Sequence, residues 1–365
     1  MIRFDIKSFL PSIIVLSISI ILVSSFIYIE GGNPIALARI GTRYLTGDSE
    51  GSEGYDGQFI YFIAAELDPL RVTKHLDVPA YRYQRILLPF LAHIISLGKI
   101  EIIPWAIVLV EIIFISIGTW AVGELLVSWR VSRWYSLVYG CWAGFMLAII
   151  TDLPEPIAYA LVALGILMLE RKKFLIGCFL FALSAFAKEV TLIFIIACLV
   201  VYITSHQWKE MLCLGLIGVL PYLIFQLWLI SIYNRPGFGS GGEMATPFEW
   251  IPFMGLFRIG YHNILYLIGM LVVFVPTIVF PVLWGIWKSV QKWFADEKNL
   301  YVVALFLNAL ILVFTPFSTF RETGGIIRHA SGLVLAVILF AGFYKDKRAL
   351  NYSVFWLVLN VFILK

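Results

Sequence analysis

Asp56 lies where an acidic, glycine-rich stretch, GDSEGSEGYDG, runs into the apolar QFIYFIAAELDP. A carboxylate placed this way can take a proton from a hydroxyl, provided that cations nearby hold a departing anion. Such cations are present. They occur in Tyr81-Arg82-Tyr83-Gln84-Arg85, in Lys188-Glu189, and in Arg321-Glu322 with Arg328-His329 beyond it. A further acidic element, Thr151-Asp152-Leu153-Pro154-Glu155, completes the polar clusters found at the ends of apolar runs. Carboxylates with arginines and lysines suit a reaction whose leaving group is a phosphate. Each cluster also has a plain structural reading. Asp56 can cap the helix that follows it, Asp68-Pro69 marks the next turn, and ionisable residues at the ends of apolar runs anchor them at an interface. Lys188-Glu189 resists that reading best, because it interrupts the apolar stretch from Phe174 to Ile203, where an unneeded charge is costly.

The elements that must position these groups are membrane helices. Of 365 residues, 61% are hydrophobic and 14% charged, far from the balance of a soluble domain. The first apolar run, Leu10 to Ile29, lacks a small-x-small cleavage site before Glu30 and reads as a retained signal anchor. Further runs follow at 102–127, 134–150, 157–169, 174–187, 190–203, 211–232, 261–287, 300–317, 328–344 and 350–364. The expected fold is therefore all-α, a polytopic transmembrane helical bundle of about ten or eleven spans. Runs 157–169, 174–187 and 190–203 are short for a span and leave open tilted or re-entrant segments. The four cysteines all fall inside apolar runs, without metal-ligand spacing, and read as packing residues.

Lysine and arginine set the orientation. The N-terminus, 128–133, 170–173, 204–210, 288–299 and 345–349 together hold about half of the 27 basic residues and are expected in the cytoplasm. On that count Gln84 to Leu97 does not cross; it lies flat as an amphipathic helix in the outer interface. The first external loop then runs from residue 30 to 101. A second, from Tyr233 to Gly260, is rich in glycine and proline and reads as mobile. Glu111, inside an apolar run, reads as a hydrogen-bonding partner of a neighbouring helix or as an ion or proton site, with Glu124 further along the same run. Phosphate-loop, dinucleotide, HExxH and GxSxG motifs are missing at suitable junctions, and no basic stripe suits nucleic acid.

Tyr55-Asp56-Gly57-Gln58-Phe59, the interfacial Tyr83-Gln84-Arg85-Ile86-Leu87-Leu88-Pro89, Asp152-Leu153-Pro154-Glu155-Pro156, the ERKK turn and Ala187-Lys188-Glu189-Val190-Thr191 follow one another in an order that resembles the GT-C superfamily of integral-membrane glycosyltransferases. The likeness covers residues 1–210; residues 211–365 correspond only to that superfamily's variable set of C-terminal spans. It implies transfer of a sugar from a polyprenyl-phosphate donor to a glycan, lipid or protein acceptor on the outer face, with inversion, in a bacterial cytoplasmic membrane. Asp56 would be the general base. Arg82, Arg85, Lys188 and Arg328 would face the donor phosphate, supported by Tyr55, Gln58, Gln84, Asp152, Glu155 and Glu189. The family's adjacent pair of carboxylates is absent at Asp56, which stands between Tyr55 and Gly57, so no magnesium or manganese ion is assigned. A secondary transporter or lipid flippase, and a non-catalytic subunit of an envelope-assembly complex, are the rival expectations.

Overall fold

A computed structural model describes residues 6–239 and 241–363, so the sidedness of the N-terminal Arg3 and the end of the last apolar run at Leu364 lie outside the described residues. Every regular element described is helical. Five helices among the described residues are long and apolar enough to cross a membrane, fewer than the ten or eleven apolar runs suggested. They are α1 (Lys7–Ile29), Ile103–Ser128, Trp208–Tyr233, Ile264–Phe294 and Thr323–Phe343. The remaining runs give shorter helices, because turn residues and charges stop them before they reach about 20 residues.

Between α1 and the second long helix lie α2 (Gly57–Ala65), α3 (Pro79–Tyr83) and α4 (Leu87–Ser96). The ten residues of α4 rise about 15 Å, half the thickness of a bilayer core, so this segment is too short to span one. Then follow α5 (Ile103–Ser128), α6 (Ser136–Gly140), α7 (Ala143–Ile149), α8 (Glu155–Glu170), α9 (Phe174–Ala187), α10 (Glu189–Thr204) and α11 (Trp208–Tyr233). The chain ends with α12 (Ile264–Phe294), α13 (Leu300–Val313), α14 (Phe317–Arg321), α15 (Thr323–Phe343) and α16 (Lys347–Val354), which runs on into a 3-10 turn.

Small residues bring the central helices together. A Cβ on Gly118 of α5 would meet Ala160 Cα of α8 at 3.0 Å, and one on Gly177 of α9 would meet Gly165 O of α8 at 3.1 Å. Backbones that approach this closely gain dispersion contact where no water-driven force acts between helices. Helices α5 and α15 are the most enclosed of the five long ones, whereas α1 and α11 leave most of their surface outward. Outward residues such as Ile21 and Leu227 are apolar, as a lipid-facing side requires.

Prolines shape two of the long helices. In α12 a π turn spans Val275–Val279, just ahead of Pro281. Pro281 has no N–H for the carbonyl of Pro276, which is its partner in that register, and the Tyr352 hydroxyl donates to that carbonyl instead. A second π turn, Gly215–Val219, precedes Pro221 in α11.

Candidate functional site

Asp56 precedes α2 with helical backbone angles and makes no capping hydrogen bond, so the N-cap reading of this residue is not realised. Asp68 does take that role on the next helix, accepting from the N–H groups of Leu70 and Arg71. The Asp56 carboxylate instead accepts from Arg82 Nη1 at 2.9 Å. Arg82 is itself held at its other edge by Asp77, through Nε at 2.7 Å and Nη2 at 2.8 Å. Its guanidinium stacks on the Phe59 ring of α2 at 4.2 Å. Proline at the start of α3 fixes where that helix begins, which sets Arg82 one turn in and facing α2.

A second pair lies on the next turn. Arg85 binds Glu189 through two hydrogen bonds of 2.8 and 2.5 Å and donates to Tyr81 Oη at 2.7 Å. The interruption of the helix between α9 and α10 places Glu189 there. Lys188, in extended conformation at the same break, sends Nζ to Glu155 Oε1 at 2.7 Å. Arg328 of α15 reaches the same oxygen at 3.3 Å and donates to Tyr55 Oη at 2.7 Å. Tyr55, Asp56, Arg82, Arg85, Glu155, Lys188, Glu189 and Arg328, all singled out from sequence, thus form one connected cluster. Residues up to 273 positions apart meet in it.

The cluster is electrically closed. Four cations, Arg82, Arg85, Lys188 and Arg328, face four carboxylates, Asp56, Asp77, Glu155 and Glu189. Exposure is uneven: Glu155 is fully buried and the Asp77 side chain 5% exposed, whereas Asp56 keeps 36% of its side chain open. Burial alone would raise the Asp56 carboxyl. The charges of Arg82, Arg328 and Arg85, with the Arg82 hydrogen bond, outweigh that and lower it to about 2. Asp77 is lowered too, since the Arg82 hydrogen bond and charge overcome its desolvation. Asp56 is therefore ionised at neutral pH, and it is a weak base for as long as Arg82 stays on it.

Three expected participants stand apart from the ion pairs. Gln58 ties the acidic loop, accepting from Gly41 N at 3.0 Å and donating to Glu53 O at 2.7 Å. Gln84 accepts from Tyr222 Oη at 2.9 Å and from Gln226 at 3.3 Å, fastening α3 to α11. Asp152 is fully buried in left-handed conformation (φ 51°), with no hydrogen-bond partner for its carboxyl among the described residues, and burial pushes that carboxyl well up. Glu111 is also fully buried and faces Asp152, Glu155 and the Leu153 peptide N–H rather than a basic group. Glu124 pairs with Arg171 at 2.7 Å.

Sequence reasoning missed Asp77 and the second external loop. That loop was expected to be mobile, yet it is docked beside the cluster. Glu243 takes Arg43 at 3.1 Å and Tyr44 at 2.9 Å, and its own N–H donates to Asp77 Oδ2 at 3.1 Å. Backbone leaves no room for a side chain at Gly237, where a Cβ would meet Ala80 O at 2.7 Å, and one on Gly242 would meet the Arg82 guanidinium at 2.6 Å. The Asp77-x-Pro79 spacing ahead of Arg82 was the available signal. Among the described residues no three His, Cys, Asp or Glu side chains gather as a metal site. A cavity of about 320 Å³ between α12 and α14, lined by His262, Tyr266, Phe317 and Arg321, shares no residue with the ion-pair cluster. No family model, curated protein or solved structure matches the chain.

Proposed function

We propose that this protein is a membrane glycosyltransferase of GT-C type, which moves a sugar from a polyprenyl-phosphate donor to an acceptor hydroxyl at the outer face of a bacterial cytoplasmic membrane. The observation that carries the reading is the meeting of a partly open carboxylate, Asp56, with three arginines, Arg82, Arg85 and Arg328, while Lys188 joins the same cluster through Glu155. The short helices α8, α9, α10 and α13, with the segments 134–150 and 350–364, would complete the ten or eleven crossings, α4 would lie flat in the outer interface, and the N-terminus would be in the cytoplasm.

In the reaction, Asp56 accepts the acceptor's hydroxyl proton as the oxygen bonds to the anomeric carbon. The bond from that carbon to the phosphate oxygen breaks with its electron pair, and the anomeric configuration inverts in this single displacement. The negative charge that grows on the phosphate falls to Arg82 and Arg85, the two guanidiniums nearest Asp56 besides Arg328. Their internal partners set the order of events. A phosphate that draws Arg82 away from Asp56 removes the strongest attraction that lowers this carboxyl, so donor binding itself turns Asp56 into a better base.

Sugar transfer from a synthetic polyprenyl-phosphate sugar by purified, reconstituted protein tests the reading. Activity is expected in the native chain; full activity in Asp56→Asn would remove Asp56 from the mechanism. One observation favours a second reading, proton-coupled transport: Glu111 is fully buried inside α5, and the charged groups that act on it are the carboxylates Asp152 and Glu155 rather than a basic partner. Counterflow of labelled solute in liposomes without donor lipid would support that reading.

A further inference from the structure

We propose that the cleft between α12, α15 and α16 is a binding site for one acidic phospholipid of the surrounding bilayer. The cleft holds about 330 Å³ and shares no residue with the Asp56 cluster. Its walls are Phe280, Trp284 and Lys288 of α12, Val337 of α15, and Arg348 and Tyr352 of α16.

Two features call for an oxygen-rich anion. Lys288 and Arg348 have no carboxylate within ion-pair distance among the described residues, and the nearest polar partner of Lys288 is the Gln291 carboxamide at 3.3 Å. The lysines that follow Lys288 differ, since Lys292 pairs with Glu297 and Lys298 with Asp296. The carboxylate on the wall, Asp346, spends Oδ1 on the N–H groups of Arg348 and Ala349, where it caps α16. The second feature lies deeper. Trp356 lines the cleft at 1% exposure, and its indole N–H finds no acceptor among the described residues. A buried donor left unpaired is costly, so an acceptor supplied from outside the chain is favoured there.

The surroundings decide what carries those oxygens. Beside the cleft, α12 turns Phe280, Leu283 and Trp287 outward at 51%, 53% and 67% exposure. A free phosphate ion would meet the cations and leave this apolar wall bare. A glycerophospholipid brings a phosphate for Lys288 and Arg348, ester carbonyls as acceptors, and acyl chains to cover α12. Both cations lie in segments of high lysine and arginine density, 288–299 and 345–349, as expected for the leaflet that acidic lipids occupy.

Native mass spectrometry of the detergent-purified chain, titrated with phosphatidylglycerol or phosphatidylcholine, tests this. One phosphatidylglycerol is expected to bind at least tenfold more tightly than phosphatidylcholine, with the preference lost in Lys288→Gln/Arg348→Gln and kept in Lys298→Gln. Trp356→Phe, which removes only the N–H, is expected to weaken binding severalfold, and thermal unfolding reports whether each variant is folded. Equal affinity for the two lipids, unchanged binding in the folded double variant, or displacement by soluble glycerol phosphate at similar concentration would each overturn the proposal.

Discussion

Asp56 and Arg82 together define what the site can do at the scale of single residues. Replacing Asp56 by Asn leaves shape intact and removes the proposed proton acceptor, so the proposed sugar transfer is expected to fall about 10²–10⁴-fold, the usual contribution of a general base. Single-turnover rates at saturating donor would show it. Arg82→Gln acts on the same carboxyl from the other side. With its strongest attraction gone, the Asp56 carboxyl rises from about 2 toward its ordinary range. The acid limb of the pH–rate profile should therefore move to higher pH, and donor KM should increase; an unmoved limb would detach Arg82 from Asp56. Stability follows the same sign. A carboxyl whose folded-state value is depressed stabilises the fold above its ordinary value near 4, and that contribution is lost as pH falls through the interval toward 2.

The breaks between helices carry the site at the next scale. Glu155 starts α8, Lys188 and Glu189 separate α9 from α10, and Arg328 comes from α15, so one buried carboxylate fastens three elements. Glu155→Gln leaves Lys188 and Arg328 facing each other without their shared anion. A loss of about 3–5 kcal/mol is expected, readable as a lower thermal midpoint in detergent. The docked loop gives an independent case. A Cβ at Gly237 would press on the Ala80 carbonyl at 2.7 Å, backbone that cannot swing aside. Gly237→Ala should cost about 1–3 kcal/mol and speed proteolysis between Arg235 and Arg258, because strain of this kind is relieved by undocking the loop.

For the molecule as a whole, the two loops that meet through Glu243 must lie on one side of the bilayer. In a chain whose four cysteines have been replaced, a membrane-impermeant thiol reagent should label Glu50→Cys and Trp250→Cys in intact cells. Asp296→Cys, equally accessible in the fold, should react only after lysis. Labelling of all three would refute the proposed sidedness and with it the outer-face reaction. The same contacts show how far one half of the chain depends on the other. Arg328, Glu243 and Tyr222, all beyond residue 210, complete or brace a cluster begun by Asp56, Arg82 and Gln84.

The amino-acid sequence by itself determined the helical membrane class, because apolar runs and clustered charges leave a chain no other way to satisfy its backbone. It also determined some helix ends, since local turn and charge chemistry suffices to stop one helix at Ala187, ahead of Lys188-Glu189. The cations of the cluster were legible for a related reason: a lysine at 188 amid apolar residues is costly without a partner. Which carboxylate each cation took was decided only by the tertiary structure. Arg85 with Glu189 is a pairing across 104 positions, and Arg328 with Tyr55 one across 273, set by how helices pack rather than by spacing. Asp77 escaped notice because it stands alone among uncharged neighbours, and its partner Arg82 is chosen only when α3 is folded. That five helices are long enough to cross where ten or eleven apolar runs were counted has the same origin: helix ends follow local stops, while depth in a membrane is a property of the assembled bundle.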